Sequence, residues 1–169
     1  MTKSEFEDAY DDIERVRGEI LASTVEELKP RKPIMVDASA TVVAAVDAMN
    51  THRTGCVLVQ KNGKLAGIFT ERDVLRRVMF RDGSGNLPVE RFMTPNPETL
   101  EPDATIAFAL NQMSVGGFRH IPVVSSAGDP IGVLSMRDIV DFLVRLFPKG
   151  VLNLPHVPSM QIPRTMDGG

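Results

Sequence analysis

The chain contains an internal duplication, and this duplication restricts its possible folds more than any other feature. The heptapeptide at residues 67–73 reads GIFTERD, and it returns at residues 132–138 as GVLSMRD, 65 places later. Earlier in each copy the matching shift is 64 places, since Thr41 aligns with Thr105. An extra residue in a hairpin turn is easily accommodated. Self-similarity of this kind indicates that one structural unit is built twice.

Each copy predicts the same order of elements, which is strand, helix, strand, strand, helix. Thr41 and Thr105 each precede apolar residues spaced three and four places apart, which is typical of an N-capped amphipathic helix. Two strands joined by a Gly-containing hairpin follow in each copy. The predicted hairpin strands are residues 56–60, 65–69, 121–124 and 131–134. In the first copy, the apolar positions of the last helix are Val74, Leu75, Val78 and Met79.

The repeated units are small. A unit of about 55 to 60 residues is close to the lower limit for an independent hydrophobic core. We therefore expect an α+β fold in which the two copies pack sheet against sheet. The expected divisions are an N-terminal amphipathic helix at residues 1–24, a first repeat at 25–82, a linker at 83–88, a second repeat at 89–147 and an extended, proline-punctuated arm with a disordered end at 148–169.

Composition excludes several classes of protein. The net charge of -3 over 169 residues gives no general electrostatic reason to bind nucleic acid or an acidic membrane surface. No apolar stretch approaches the length of a membrane span. The single cysteine, Cys56, rules out an internal disulfide and lies in an apolar run, which predicts a buried structural thiol. We expect a cytoplasmic protein with neither a membrane nor a nucleic-acid partner.

The junction between the last strand and the last helix of each copy carries the polar chemistry. Thr70 and Ser135 are followed three residues later by Asp73 and Asp138. This spacing predicts a helix cap, in which the hydroxyl accepts from a backbone N–H of the first turn. The same helix start offers backbone N–H groups to a phosphate, and the carboxylate can accept from sugar hydroxyls. Capping and binding of a phosphorylated ribose are compatible, and these residues alone leave both open.

The doubled junction, the run ERFMTP at residues 90–95 and the run FRHIPVV at residues 118–124 together resemble a tandem pair of CBS domains, or Bateman module. The resemblance extends from about residue 25 to residue 147. It implies two β-α-β-β-α repeats related by pseudo-twofold symmetry, with two clefts between them. Relatives of this type bind AMP, ADP, ATP or S-adenosylmethionine. The resemblance therefore implies a non-catalytic sensor that regulates a partner, whose identity the sequence does not reveal, and that associates as a homodimer.

Carried over position by position, the resemblance implies two nucleotide sites. In the second site, Asp138 holds the ribose, Ser135 and Arg137 contact phosphate, and Arg119 or His120 meets phosphate charge. The base there is lined by Thr99, Leu100, Ile121 and Pro122. The residues of the first site are Met35, Val36, Val57, Leu58, Thr70, Arg72 and Asp73. We expect the second site to bind more tightly, because the first carries Glu71 where the second has Met136.

The sequence also bears on three other interpretations. An enzyme is disfavoured, because the sequence supplies no nucleophile paired with a base and no cofactor fingerprint. A resident metal is disfavoured because His52, His120 and His156 have no acid or cysteine at ligand spacing. A dimerisation or scaffold module with vestigial clefts, which modulates a partner without nucleotide, is the alternative to the sensor.

Overall fold

The computed structural model describes residue 14 and residues 17–146. Within that part, residue 14 and residues 17–22 are helical, and the rest of the predicted N-terminal helix falls outside the described residues. The predicted C-terminal arm also falls outside them. The described chain has the predicted α+β fold. None of its helices is long and apolar enough to cross a membrane.

The first repeat follows the predicted order of elements. Its elements are strand β1 (Met35–Asp37), helix α1 (Val42–His52), strand β2 (Cys56–Lys61), strand β3 (Lys64–Thr70) and helix α2 (residues 71–78). Helix α2 begins as one α-helical turn and continues from Val74 to Val78 as a π-helical turn. A short 3-10 turn, Ser84–Asn86, occupies the predicted linker, and Ser84 is buried there with its hydroxyl donating to Val78 O at 3.0 Å.

The second repeat mirrors the first. Its elements are strand β4 (Thr94–Pro95), helix α3 (Ile106–Gly116), strand β5 (His120–Val124), strand β6 (Pro130–Ser135) and helix α4 (Met136–Leu146). Leu100 forms a parallel bridge to Val123 of β5 and so takes the place that β1 has in the first repeat. The predicted order of strand, helix, strand, strand, helix is therefore confirmed in both copies.

The two middle helices begin where the sequence predicts. Thr41 Oγ1 accepts from Ala44 N at 3.2 Å, and Thr105 Oγ1 accepts from Phe108 N at 3.2 Å. Each cap satisfies one of the backbone donors that a helix start leaves unpaired. The buried residues of these helices repeat at matching positions, namely Val42, Ala45 and Met49 in α1 and Ile106, Ala109 and Met113 in α3.

Helix α2 departs from the sequence prediction. Leu75 and Met79, expected on its apolar face, are 58% and 59% exposed, whereas Val78 is buried. The reason is the π-helical winding, in which Met79 N donates to Val74 O at 3.0 Å, five residues back. This winding changes the helical period, so residues spaced for one face of an α-helix do not share a face here.

Two segments cross between the repeats. The first crossing segment, residues 31–37, bridges Val133 of β6 through Arg31 and then pairs with β2 through β1. The second crossing segment, residues 94–100, pairs with β3 through β4 and then bridges β5 through Leu100. One sheet has the order β1-β2-β3-β4, and the β5-β6 sheet carries the matching bridges at its two edges. Each repeat thus contributes backbone to the other's sheet.

The hydrophobic core follows the same exchange. Val25 and Leu28, which precede the first repeat's strands, pack into the core of the second repeat. Val89 and Phe92, which precede the second repeat's strands, pack into the core of the first. A third cluster of Cys56, Leu58 and Ile68 is completed by Val133 from the opposite repeat. The two repeats are therefore held together by shared cores as well as by shared strands.

Candidate ligand-binding clefts

Two clefts lie where the repeats meet. The Asp73 cleft has a volume of about 440 Å³, and its walls come from the start of α2, the second crossing segment and residues 116–120. The Asp138 cleft has a volume of about 510 Å³, and its walls come from the start of α4, the first crossing segment and residues 53–56. Both volumes are in the range of small-molecule sites. Each cleft combines a helix start from one repeat with a crossing segment of the other repeat.

The strand-to-helix junctions form the predicted caps. Asp73 Oδ2 accepts from Thr70 N at 3.0 Å and from Thr70 Oγ1 at 2.7 Å, while Asp73 N donates to Thr70 Oγ1 at 3.3 Å. Asp138 Oδ2 makes the same bonds with Ser135, at 2.8 Å and 2.6 Å, and Asp138 N donates to Ser135 Oγ at 3.3 Å. The cap occupies one carboxylate oxygen, which leaves Oδ1 outside the capping box in both copies.

The two Oδ1 atoms have different neighbours. Asp73 Oδ1 lies 3.3 Å from Nη1 of Arg77, and that same nitrogen donates to Phe92 O at 2.9 Å and to Met93 O at 2.8 Å. Asp138 Oδ1 lies 3.6 Å from Nε of Arg31, whose side chain is 62% exposed. The guanidinium beside Asp73 is anchored by backbone carbonyls, whereas the contact at Asp138 is longer and open to solvent. Asp138 Oδ1 is therefore the easier of the two for a sugar hydroxyl to reach.

The clefts also differ in charge. The Asp73 cleft is lined by four basic and three acidic side chains, which are Arg72, Arg76, Arg77, Arg119, Glu71, Asp73 and Glu98. The Asp138 cleft is lined by five basic and two acidic side chains, which are Arg31, Lys32, Arg53, Arg119, Arg137, Glu71 and Asp138. The Asp138 cleft is thus the more attractive of the two to a phosphate.

A common wall separates the clefts, because Gly55, Glu71, Arg119 and His120 line both of them. The His120 imidazole packs against Gly55, where a Cβ would lie 3.3 Å from His120 Cε1. Burial lowers the pKa of His120 below its usual value, and the Arg119 charge lowers the pKa further, against the opposing effects of Glu71 and Asp138. The wall therefore holds a neutral imidazole beside one guanidinium and one carboxylate.

The structure brings together the polar residues that were predicted for each site. Thr70, Arg72 and Asp73 line one cleft. The other is lined by Arg119, His120, Ser135, Arg137 and Asp138.

The residues predicted to surround the base do not line either cleft; they are Met35, Val36, Val57, Leu58, Thr99, Leu100, Ile121 and Pro122. Val57, Leu58, Leu100 and Ile121 are instead buried in the hydrophobic clusters.

Other apolar side chains are available to a base. Ile68, Pro97 and Phe118 line the Asp73 cleft. Ile34, Val133, Met136 and Val140 line the Asp138 cleft. Sequence reasoning also missed the basic residues Arg31, Lys32 and Arg53, because they belong to the first repeat. Arg31 and Lys32 reach the Asp138 cleft through the crossing segment, and Arg53 reaches it from the C-terminal end of α1. The cluster of basic residues at 31 and 32, just before a predicted strand, was the one available signal.

The cleft walls contain one thiol, that of Cys56. Burial raises the pKa of the Cys56 thiol to about 11, so the thiolate is suppressed at neutral pH. Among residues 17–146, no group of three or more His, Cys, Asp or Glu side chains is arranged to hold a metal ion. What the clefts offer is a carboxylate oxygen, a helix start, guanidinium groups and apolar surface. Groups of these kinds can contact a sugar, a phosphate or a flat ring.

The sequence of this chain is similar to those of known proteins. The chain is 31% identical over 125 residues to an uncharacterized 17.7 kDa protein of Acidianus ambivalens, which covers 73% of this chain and 75% of that protein. It is 34% identical over 134 residues to a CBS domain-containing protein of Arabidopsis thaliana, which covers 75% of this chain but only 24% of that longer protein.

A solved structure has the same fold. The CBS domain protein of Pyrobaculum aerophilum, complexed with AMP, matches with a TM-score of 0.65 and 25% identity, covering 75% of this chain and 99% of that one. The family model described as CBS domain matches residues 25–79 and again residues 89–145, which correspond to the two copies of the duplicated unit. The chain belongs to the CBS domain family.

Proposed function

We propose that this protein is a non-catalytic regulatory module that binds an adenosine-type nucleotide in the clefts between its two repeats. The observation that carries the proposal is the repeated pairing of a capped aspartate with basic side chains in a cleft wall. In each cleft the cap uses Oδ2 and leaves Oδ1 outside the box. A ribose offers two neighbouring hydroxyls, which are the donors that such an oxygen can accept.

The Asp138 cleft is the preferred site. Asp138 Oδ1 lies 3.6 Å from Arg31 Nε, whereas Asp73 Oδ1 lies 3.3 Å from Arg77 Nη1. The longer ion pair leaves Asp138 Oδ1 more accessible to a ligand. The helix dipole at the start of α4 and the surrounding cations favour a phosphate. Arg137, which lines this cleft, lies 3.8 Å from Asp141 and is 79% exposed, so little holds it away from a ligand. The sequence preference for this site rested on Glu71, but Glu71 lines both clefts and does not distinguish them. The surplus of basic side chains in the Asp138 cleft supports the preference instead.

Two observations support an adenine base. The cleft walls have apolar parts on which a flat ring can pack, and a protein of the same fold binds an adenine nucleotide. The Pyrobaculum aerophilum protein, of the same fold, was solved as a complex with AMP. In the Asp138 cleft the base packs between Ile34 of the first crossing segment and Val133 or Met136 of the second repeat. AMP, ADP, ATP and S-adenosylmethionine are the candidate ligands, and no resident cofactor is required.

Regulation follows from the position of the clefts. A ligand that touches both a helix start and a crossing segment favours the arrangement of the repeats that fits it best. A partner protein that contacts both repeats then senses that arrangement. We include in the proposal that the protein acts as a homodimer, because apolar side chains in and just after α2 are exposed, among them Leu75 at 58%, Met79 at 59% and Phe80 at 87%. The same exposure favours the second candidate, a dimerisation module without nucleotide.

Calorimetry and thermal melting distinguish the two candidates. The ligands are AMP, ADP, ATP, S-adenosylmethionine and adenosine, added to the wild type, Asp73→Asn and Asp138→Asn. A ligand at 100 times its Kd adds about 2.7 kcal/mol to the free energy of unfolding, which raises the melting temperature by several degrees. We expect Asp138→Asn to lose the tighter site and Asp73→Asn the weaker one. The matched control is Asp47→Asn, an exposed position on α1 outside both clefts.

Two outcomes would contradict the proposal. The first is a wild-type protein whose melting temperature responds to none of these ligands, which would favour the dimerisation module. The second is binding that survives in the double variant Asp73→Asn, Asp138→Asn with its affinity unchanged. If only Asp73→Asn lost binding, the ligand would be assigned to the Asp73 cleft and the preference for Asp138 would be wrong.

A further inference from the structure

The pseudo-twofold symmetry of the clefts fails in the wall that they share. The duplication aligns Gly55 with Arg119 and Glu71 with Met136. The backbone around these residues is equivalent, since Glu71 N donates to Gly55 O at 3.1 Å and Met136 N donates to Arg119 O at 2.9 Å. The first repeat therefore has no side chain at position 55 and a carboxylate at position 71. The second repeat has a guanidinium and a thioether at the equivalent positions, 119 and 136.

As a result, one guanidinium faces two clefts. Arg119 lines both, and it is the single permanently cationic side chain among the wall residues common to the two. Two of the other three arginines of the Asp73 cleft donate to backbone carbonyls. Arg72 Nη1 donates to Gly117 O at 2.5 Å, and Arg77 Nη1 donates to Phe92 O and Met93 O. Arg119 is therefore the one permanent cation common to both clefts, and Glu71 lines the same wall.

Resting on the proposed function, we propose that the two clefts bind phosphorylated ligands antagonistically. A phosphate in one cleft engages Arg119, and a second phosphate across the wall then meets Glu71 and the first phosphate without that guanidinium. Like charges on the two sides of this wall repel each other. An uncharged nucleoside makes no demand on Arg119, so it binds beside a nucleotide without penalty. The favoured doubly occupied state holds one phosphorylated and one uncharged ligand.

The test compares each cleft alone with the two clefts together. AMP and adenosine are titrated by calorimetry into Asp73→Asn and Asp138→Asn, which give the intrinsic affinity of the remaining cleft. The same ligands are then titrated into the wild type. For AMP, we expect the second molecule to bind at least about tenfold more weakly than its intrinsic affinity predicts, a coupling within the usual range for linked sites. For adenosine, and for adenosine added to protein already holding AMP, we expect no such weakening.

Two charge-matched variants identify the residue responsible. Arg119→Gln is expected to weaken AMP binding in both clefts and to reduce the antagonism to less than about threefold, since the contested cation is gone. Arg53→Gln removes a charge of the same sign and size, but Arg53 lines only the Asp138 cleft of the two. It is expected to weaken AMP there and to leave the antagonism unchanged. Far-ultraviolet circular dichroism and melting curves verify that each variant is folded.

The inference and the proposed function fail in different ways. Two AMP molecules that bind the wild type with their intrinsic affinities would overturn the inference and leave the proposed function intact. So would antagonism that persists unchanged in Arg119→Gln, or AMP binding in one single-cleft variant only. Absence of AMP and adenosine binding from the wild type would overturn both.

Discussion

Replacing Gly67 by alanine tests how closely the second crossing segment lies on β3. Gly67 is buried and pairs with Pro95 of β4. A Cβ at this position would lie 2.8 Å from Thr94 O and 2.9 Å from Met93 Cγ, and it would also overlap Met93 Sδ. The methionine side chain can move, but the Thr94 carbonyl is backbone and its shift would disturb the β3-β4 pairing. Glycine is thus required here by the approach of the other repeat.

The change in the free energy of unfolding of Gly67→Ala is the sum of two opposing effects. Overfilling a packed site costs about 1 to 3 kcal/mol, and an obstruction by backbone belongs near the upper end of that range. Replacing glycine by alanine returns about 0.4 to 1 kcal/mol by restricting the unfolded chain. The expected net loss is about 2 kcal/mol, which lowers the melting temperature by roughly 4 to 8 °C for a chain of this size. Because Thr94 lines the Asp73 cleft, ligand affinity at that cleft should fall as well.

The assay is thermal melting of three alanine variants. Gly132 occupies the equivalent position in the second repeat, where a Cβ would lie 2.8 Å from Pro30 Cβ but 3.5 Å from Arg31 O. The obstructing atom is a proline ring carbon, which moves only with the backbone, so Gly132→Ala should lose about as much stability as Gly67→Ala. Gly18 is helical with nothing within 4 Å of a built Cβ, so Gly18→Ala should be neutral or stabilising. A Gly67→Ala protein that melts with the wild type would refute the close approach of the two repeats.

Three further predictions concern single groups in and around the common wall. Cys56 should react with a thiol reagent such as Ellman's reagent only on unfolding, because it is buried and its pKa is raised to about 11; rapid labelling of the native protein would contradict this. The neutral His120 should stabilise the fold above pH 6.5 and lose that contribution as the pH falls, because its folded pKa is below the unfolded value of 6.5. Urea denaturation should therefore show a steeper loss of stability on acidification in the wild type than in His120→Gln. Finally, Ser135→Ala should cost about 1 kcal/mol, because it removes the hydroxyl that caps α4. Ser135→Thr should retain most of that stability, and equal stability of the alanine and wild-type proteins would show that the cap contributes nothing.

The features that could be predicted from the sequence are those that depend on residues close together in the chain. The element order, the Thr41 and Thr105 caps and the Thr70–Asp73 and Ser135–Asp138 caps depend on residues within a few positions of one another, and all are found. The exposure of Leu75 and Met79 was not predicted, because the π-helical turn that turns them outward depends on packing around α2.

The cleft walls were less accessible to sequence reasoning. The polar residues could be assigned to clefts because each belongs to a helix start or to the strand end beside it. The base-lining residues could not, because strands β2 and β5 are covered on both faces and their side chains are almost all buried. The open surface comes from the crossing segments, and a short extended stretch such as residues 31–37 carries no signal for which sheet it will join. Arg31 and Lys32 entered the Asp138 cleft for that reason alone.

The exchange of crossing segments also has a consequence for how such a molecule could arise. Either half of this chain, produced by itself, would have an unpaired sheet edge and would leave Val25 and Leu28, or Val89 and Phe92, without the core that buries them. A second identical half could fill both deficits by swapping the same strands and side chains. We therefore expect a single copy to fold as a pair, and a one-copy ancestor of this chain would have been a domain-swapped dimer. Once joined, the halves could diverge. Gly55 and Arg119 occupy equivalent positions of the two repeats, and a symmetric ancestor would have had the same residue at both.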